Sequence, residues 1–197
     1  MNTLPISRLV ARCLLLLLPF GPCLAAPEVA LTPGSQTVVL GSQFTVDLVV
    51  SGLGNGVALS AFDLAIDFDA TAMSFARATF GDQLDLFGLG DLQAVTVTPG
   101  RVELFEVSLD PSSDLLTLQA LSFRLGSITF DTVGLASDSP LLLSTNAFGD
   151  ADGAPLAAAL RGAVVTIAAV PENATFLLAL VGCCLVGGVM RSRRKRL

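Results

Sequence analysis

Several side chains in the 197-residue chain have the types and spacing to do chemistry. Asp67 and Asp69 lie two apart in an alternating stretch, so they share one strand face with their carboxyls about 7 Å apart. That separation falls within the range of inverting glycosidases. Such acids must flank a substrate from opposite sides of a cleft, whereas this face is expected to be open to water; a solvated pair is the preferred reading. Glu103 and Glu106 are separated by an odd number of residues and point to opposite faces unless a bulge intervenes. Asn146, Asp150 and Asp152, followed by Gly153, set oxygen side chains along a short loop, a donor type suited to a hard cation such as Ca²⁺. No bidentate acid follows at the EF-hand distance, so the loop is at most a D-x-D-G half-loop. The alternative is an Asx-rich turn that holds no metal.

Missing residue types narrow the chemistry further. There is no His, Tyr or Trp, and the four cysteines (Cys13, Cys23, Cys183, Cys184) all lie in the terminal apolar runs. Ser-His-Asp and Cys-His catalysis, His-ligated zinc, thiolate metal sites and a disulfide framework are therefore excluded from the middle of the chain. The glycines of Gly52–Gly56 and Gly88–Gly90 do not form a G-x-G-x-x-G step into a helix, so they read as turns rather than phosphate cradles. An enzyme is not expected, and no cofactor is required; the Ca²⁺ considered above is the one candidate.

Charge is unevenly placed. Between Ala26 and Val170 there are four basic residues (Arg77, Arg101, Arg124, Arg161) and sixteen acidic ones, a net charge of 4 − 16 = −12. Nucleic-acid affinity comes mainly from Lys and Arg neutralising phosphates, so a nucleic-acid partner is not expected.

Residues 1–25 read as a secretory signal peptide. Arg8 and Arg12 form a positive start, Cys13 to Phe20 an apolar stretch, and Cys23-Leu24-Ala25 a small-x-small cleavage site. Cleavage is expected between Ala25 and Ala26; the alternative is an uncleaved anchor, for which the apolar stretch is short.

At the other end, Ala174 to Met190 carry no charge, and as a helix they would span roughly 26 Å, enough for a thin hydrocarbon core. Five basic residues follow between Arg191 and Arg196. Because basic flanks stay in the cytoplasm, the chain ahead of the helix is expected outside. Ahead of it stand Val170, Pro171, Glu172 and Asn173. This order of box, short transmembrane helix (174–190) and basic tail (191–197) resembles the PEP-CTERM sorting signal, with Asn173 in place of the last proline of its V-P-E-P box. The resemblance implies processing at the box by an exosortase, a membrane protease-transpeptidase, after a stage as a single-pass membrane precursor, and delivery to the cell surface or extracellular matrix. A plain single-pass anchor is the alternative.

Residues 26–169 alternate with a period of two. Phe44, Val46, Leu48 and Val50 interleave with Thr45 and Asp47; Phe62, Leu64, Ile66 and Phe68 interleave with Asp63, Ala65 and Asp67. Such a pattern makes half-buried strands. Further strands are predicted at Gln36–Leu40, Ala72–Thr79, Ala94–Thr98, Arg101–Leu109, Leu121–Phe130, Pro140–Ala147 and Arg161–Ala168, separated by Gly/Pro/Asn/Asp clusters that include DPSSD. The apolar phase slips at Leu104-Phe105 and at Gly126-Ser127, where bulges are expected. Asp82–Asp91 is not a strand; Leu84, Phe87 and Leu89 are candidates to cap one end. About nine short strands indicate an all-β antiparallel jelly-roll sandwich, monomeric and foldable without disulfides.

The stretch VDLVVSGLGNGVALSAFDLAIDFDATAMSFARATFG, the later Ser127 to Phe130 strand and the N-x-x-G-D-x-D-G segment resemble a cohesin-like domain, a fold shared with a group of carbohydrate-binding modules. The resemblance implies a non-catalytic module that binds a docking protein or polysaccharide. A structural protein of an exopolysaccharide matrix, without a specific ligand, is the alternative.

Overall fold

The structure is a computed structural model that describes residues 26–54 and 56–170. The signal peptide, Ala25, the box residues Pro171, Glu172 and Asn173, the expected membrane helix and the basic tail lie outside the described residues; Ala26 and Val170 are described, and both are exposed.

Eleven strands and one short helix follow in the order β1 (Glu28–Thr32), β2 (Ser35–Val39), β3 (Gln43–Ser51), β4 (Leu59–Asp67), β5 (Met73–Phe80), β6 (Leu92–Thr98), β7 (Arg101–Val107), α1 (Ser112–Leu118), β8 (Phe123–Thr132), β9 (Ala136–Asp150), β10 (Ala159–Arg161) and β11 (Ala163–Ala168). They form two facing sheets, β10-β1-β3-β8-β5 and β2-β11-β9-β4-β7-β6. Their inner faces are the alternating apolar positions. Val46, Leu48 and Val50 of β3 meet Phe62, Leu64 and Ile66 of β4 and Val102 and Leu104 of β7 in one buried cluster. Phe130 anchors one end, stacked on Phe44 at 5.4 Å and edge-on to Phe68 at 5.1 Å between ring centroids. Each such side chain contributes about 1.5–3 kcal/mol by leaving water. The core is built from residues of both sheets and contains no cysteine.

All nine predicted strands are present, with two additions at the ends. β1 and β2 are one extended segment that changes sheet at Thr32-Pro33-Gly34; the predicted Arg161–Ala168 strand likewise breaks at Gly162 into β10 and β11. A Cβ at Gly162 would lie 2.3 Å from the Leu141 carbonyl oxygen, so only glycine fits that crossing. The two crossing segments run side by side, giving the only parallel ladders among the described residues: β1 with β10 and β2 with β11. The sandwich is thus antiparallel except where its first and last segments meet.

One expected bulge is present and the other is not. The register of β3 against β8 shifts between Leu48 and Val49, skipping Leu125 next to Gly126, which answers the phase slip at Gly126-Ser127. In β7 the register runs unbroken against both β4 and β6. The slip at Leu104-Phe105 is met differently: Phe105 turns outward and Glu106 goes inside. DPSSD, expected as a turn, opens α1 instead: Pro111 stands at the N-cap, Asp114 sits in the first turn, and Leu115 is buried. The residue after the helix, Gln119, closes this end. Its Nε2 donates to the carbonyls of Leu59 (2.8 Å) and Gln83 (3.0 Å), while its Oε1 accepts from Leu59 N–H at 2.7 Å. That fastens the 81–91 loop to β4. In this loop Leu84 is buried as expected, but Phe87 and Leu89 are exposed.

Candidate functional site

The register of β6, β7 and β4 is unbroken, and that of β4 against β9 shifts between Leu59 and Ala61 and again between Asp63 and Leu64, so side chains lie in rows across the six-stranded sheet from which Asn146 is left out. On its outer face Thr98, Arg101, Asp67 and Leu142 form one row, Thr96, Glu103, Ala65 and Ser144 the next, and Ala94, Phe105, Asp63 and Ala147 a third. Arg101 organises this face. Its Nη1 donates to both carboxylate oxygens of Asp67 at 3.0 Å, and its Nε donates to Glu103 at 2.9 Å. The two carboxylates, Glu103 foremost, hold the guanidinium pKa above its ordinary value. The cluster is open to water and adds little to stability; its larger consequence is a fixed arrangement of charge on this face. Leu142, opposite Asp67, is exposed beside it, and Leu92 is exposed farther along the same face, opposite Val107.

Asp67 is therefore engaged with Arg101. Asp69 lies beyond the end of β4, where its Oδ1 accepts from Thr71 N–H at 2.8 Å and Thr71 Oγ1 at 2.6 Å. Those hydrogen bonds, the side-chain one first, lower its pKa. The two acids do not act as the pair that their spacing suggested: one holds an arginine and the other a turn. Glu103 and Glu106 face opposite sides, as their odd separation dictates.

The inner face of the same flank carries the feature that strand spacing alone did not reveal. Gln93, Glu106, Phe62 and Phe148 form one row, and Glu106 is only 1% exposed. Gln93 Nε2 donates to Glu106 Oε1 at 3.1 Å and to Asp91 at 2.8 Å. Burial pushes the Glu106 carboxyl up to about 9, with Asp91 and Asp85 adding to the push and Gln93 opposing it. With that shift it keeps its proton at neutral pH, between Gln93 and Phe62 in the row. The signal for it in the sequence was the phase slip itself: a strict two-residue period from Val102 through Leu104 leads to Glu106.

The candidate cation loop is closed by its own backbone. Asp150 Oδ1 accepts from Asp152 N–H (3.0 Å) and Ala154 N–H (2.8 Å), and Gly153 N–H reaches Asp150 O at 2.9 Å. Gly153 has φ +79°, a conformation that glycine adopts at little cost. Asn146 instead donates to Asp63 at 3.1 Å on the sheet. The loop is thus an Asx turn with one Asp150 oxygen committed to the backbone, and Asn146 is held by a different partner. No group of three or more His, Cys, Asp or Glu among the described residues is placed to hold a metal ion.

No family model matches the chain, and no curated protein matches it. Solved structures do. A type I cohesin in a cohesin–dockerin complex from Clostridium thermocellum matches with a TM-score of 0.60 at 13% identity, over 74% of this chain and 95% of that one. The fold is that of a cohesin module. A non-cellulosomal cohesin from the archaeon Archaeoglobus fulgidus matches with a TM-score of 0.57 at 16% identity (77% and 96% covered). A cohesin module of a family 33 glycoside hydrolase from Clostridium perfringens matches with 0.55 at 17% identity (74% and 97% covered). The cohesin-like sandwich expected from the sequence is thus present, and it spans almost the whole length of each of these modules.

Proposed function

We propose that residues 26–169 are a non-catalytic docking module, exported and presented outside the cytoplasm, whose outer six-stranded face receives a protein partner. The observation that carries this reading is the near-complete overlay on cohesin modules, one of them solved within a cohesin–dockerin complex. Support comes from the face itself: an ordered Asp67–Arg101–Glu103 charge cluster beside exposed Leu142, with Leu92 exposed farther along the same face. Polysaccharide binding has less behind it, since the chain has no Tyr or Trp on which a sugar could stack.

The two ends supply the address. In this reading the signal peptide is removed between Ala25 and Ala26. The box Val170-Pro171-Glu172-Asn173 then halts outside the membrane, where an exosortase can reach it. The order of box, apolar stretch and basic tail is what supports this step.

The test is affinity capture from the producing organism's surface fraction with residues 26–169, beside the outer-face variant Leu92→Glu/Leu142→Glu and a glycan array. One discrete protein, retained by the native face and lost with the variant, is expected. Glycan binding without a protein partner would transfer the function to polysaccharide attachment, and retention of the same protein by the variant would remove the proposed face.

A further inference from the structure

The sandwich has two ends. One holds the turns at 40–42, 68–72 and 99–100 and the last strand's exit toward Val170. The other holds Ala26, the 81–91 loop and the segment 108–122 that contains α1. At this second end large apolar side chains stay in water. Phe87 and Leu89 of the loop, Leu116 and Leu118 of α1, and Leu109 and Leu121 on either side of α1 are 42–84% exposed. Of the α1 residues only Leu115 is buried.

Hydrogen bonds make the loop and the helical segment one surface. Leu86 N–H, next to Phe87, donates to Oδ2 of Asp110, next to Leu109, at 2.7 Å. Between Leu118 and Leu121, Gln119 Nε2 donates to Gln83 O and Ala120 N–H to Gln83 Oε1, both at 3.0 Å. Leu121 O accepts from Leu53 N–H at 3.2 Å, which ties the segment to the body of the domain. Clustered apolar groups on a surface fixed in this way mark a contact with another macromolecule.

Charge states what kind. Asp82, Asp85, Asp91, Asp110 and Asp114 belong to these same two segments, and no basic residue lies between Arg77 and Arg101 or between Arg101 and Arg124. Arg77 and Arg124 belong to strands of the five-stranded sheet, and Arg101 is engaged with Asp67 and Glu103. None of the five aspartates forms an ion pair among the described residues. Asp85, Asp91 and Asp110 accept from uncharged N–H groups of Leu89, Gln93 and Leu86, so they are held in place without an opposite charge.

We propose that this end is a second docking surface, which takes a segment of a partner protein that sets leucine-type side chains beside Lys or Arg. The apolar groups supply the buried contact and the aspartates select the basic partner. A second copy of the chain is disfavoured, because it would bring five more carboxylates to the contact. So is a bilayer: its phosphates would meet carboxylates, and in the reading given above the chain enters the membrane beyond Val170, at the opposite end. The surface is separate from the outer sheet face, since none of its six apolar residues lies on β4, β6, β7 or β9.

The experiment is fluorescence anisotropy with the full chain in nanodiscs of zwitterionic lipid, empty nanodiscs serving as the blank. The probes are a synthetic amphipathic helix of Leu and Lys and its Leu/Glu counterpart. The Leu/Lys helix is expected to bind and the Leu/Glu helix not to. Affinity is expected to fall several-fold as salt shortens the Debye length from about 10 Å at 0.1 M to about 3 Å at 1 M. Leu118→Ser/Leu121→Ser is expected to lose about tenfold in affinity with an unchanged circular dichroism spectrum. The same change at the opposite end, Val133→Ser/Leu135→Ser, at residues exposed to a like degree, is expected to bind as wild type does, and so is the outer-face variant Leu142→Glu. Failure of the Leu/Lys helix to bind overturns the proposal, as does an equal loss in both serine pairs. A loss with Leu142→Glu and none with Leu118→Ser/Leu121→Ser moves the peptide to the outer sheet face and overturns it as well.

Discussion

Gln93 on β6 and Glu106 on β7 are cross-strand partners on the inner face, joined by a 3.1 Å hydrogen bond from the amide to the carboxyl. The contact places an ionisable group where Phe62 occupies the next position in the row. Burial first, then Asp91, raises the Glu106 pKa from 4.5 to about 9. The folded chain therefore holds a proton that the unfolded chain releases above about pH 4.5. The stability this brings is fully present below that pH and is lost as pH rises toward 9, by at most about 1.4 kcal/mol per pH unit. Glu106→Gln keeps the shape, can accept from Gln93 and can donate to Asp91, but cannot ionise. Denaturant unfolding should find the variant and wild type close near pH 5 and the variant increasingly the more stable at pH 7 and 9. Parallel curves would show that Glu106 is already ionised in the folded protein.

Gly126→Ala should be costly despite adding one methyl. The new Cβ would lie 2.7 Å from the Thr79 carbonyl oxygen and 3.4 Å from Leu104 Cδ2, and the oxygen belongs to the paired strand β5. Overpacking of this kind costs about 1–3 kcal/mol. The urea midpoint should fall with an unchanged slope. A midpoint equal to wild type would mean that β5 and β8 separate freely at this point.

Asp150→Ala removes the acceptor of two backbone N–H groups, at Asp152 and Ala154. Leaving such donors unpaired in a partly exposed turn should cost about 0.5–1.5 kcal/mol, with or without Ca²⁺. Calcium binding is a separate matter and would use Asp150 and Asp152. Ligand that binds only the folded state raises its melting temperature; with the loop closed by its own backbone, millimolar Ca²⁺ against excess chelator should leave the wild-type melting curve unshifted, and a rise in wild type that Asp150→Ala/Asp152→Ala lacks would assign Ca²⁺ to these two residues. Superimposable wild-type curves would leave the loop as an Asx turn alone.

The native mature protein should begin at or next to Ala26 and end near Glu172, without residues 174–197. Arginine at bilayer depth costs roughly 2.5–3.5 kcal/mol on insertion scales, so in the proposed reading the basic tail would hold the box outside until it is cut. Intact mass spectrometry of the surface-extracted protein reads both ends together. A mass that retains Ala174 to Leu197 makes the segment an ordinary anchor and ends the sorting proposal.

Much of the sandwich was legible from residue order, because a two-residue period is a local property: Phe44-Val46-Leu48-Val50 and Phe62-Leu64-Ile66 face inward whatever lies across from them. The signals at the two ends belong to the sequence alone. Only the tertiary structure decided which strands lie at the rims, so the exposure of Val95 and Val97 could not be read from their own neighbours, which look like any half-buried strand. It also decided the partners of the acids. Asp67 meets Arg101 and Asn146 meets Asp63 across 34 and 83 residues of chain, and such pairings depend on register, which no local pattern encodes. Glu106 combines both cases. Strict alternation places it inside, but the phase slip beside it suggested a bulge to turn it out. What favours the inward position is a folded environment, Gln93 and Asp91 on the next strand and its approach, in which the carboxyl keeps its proton.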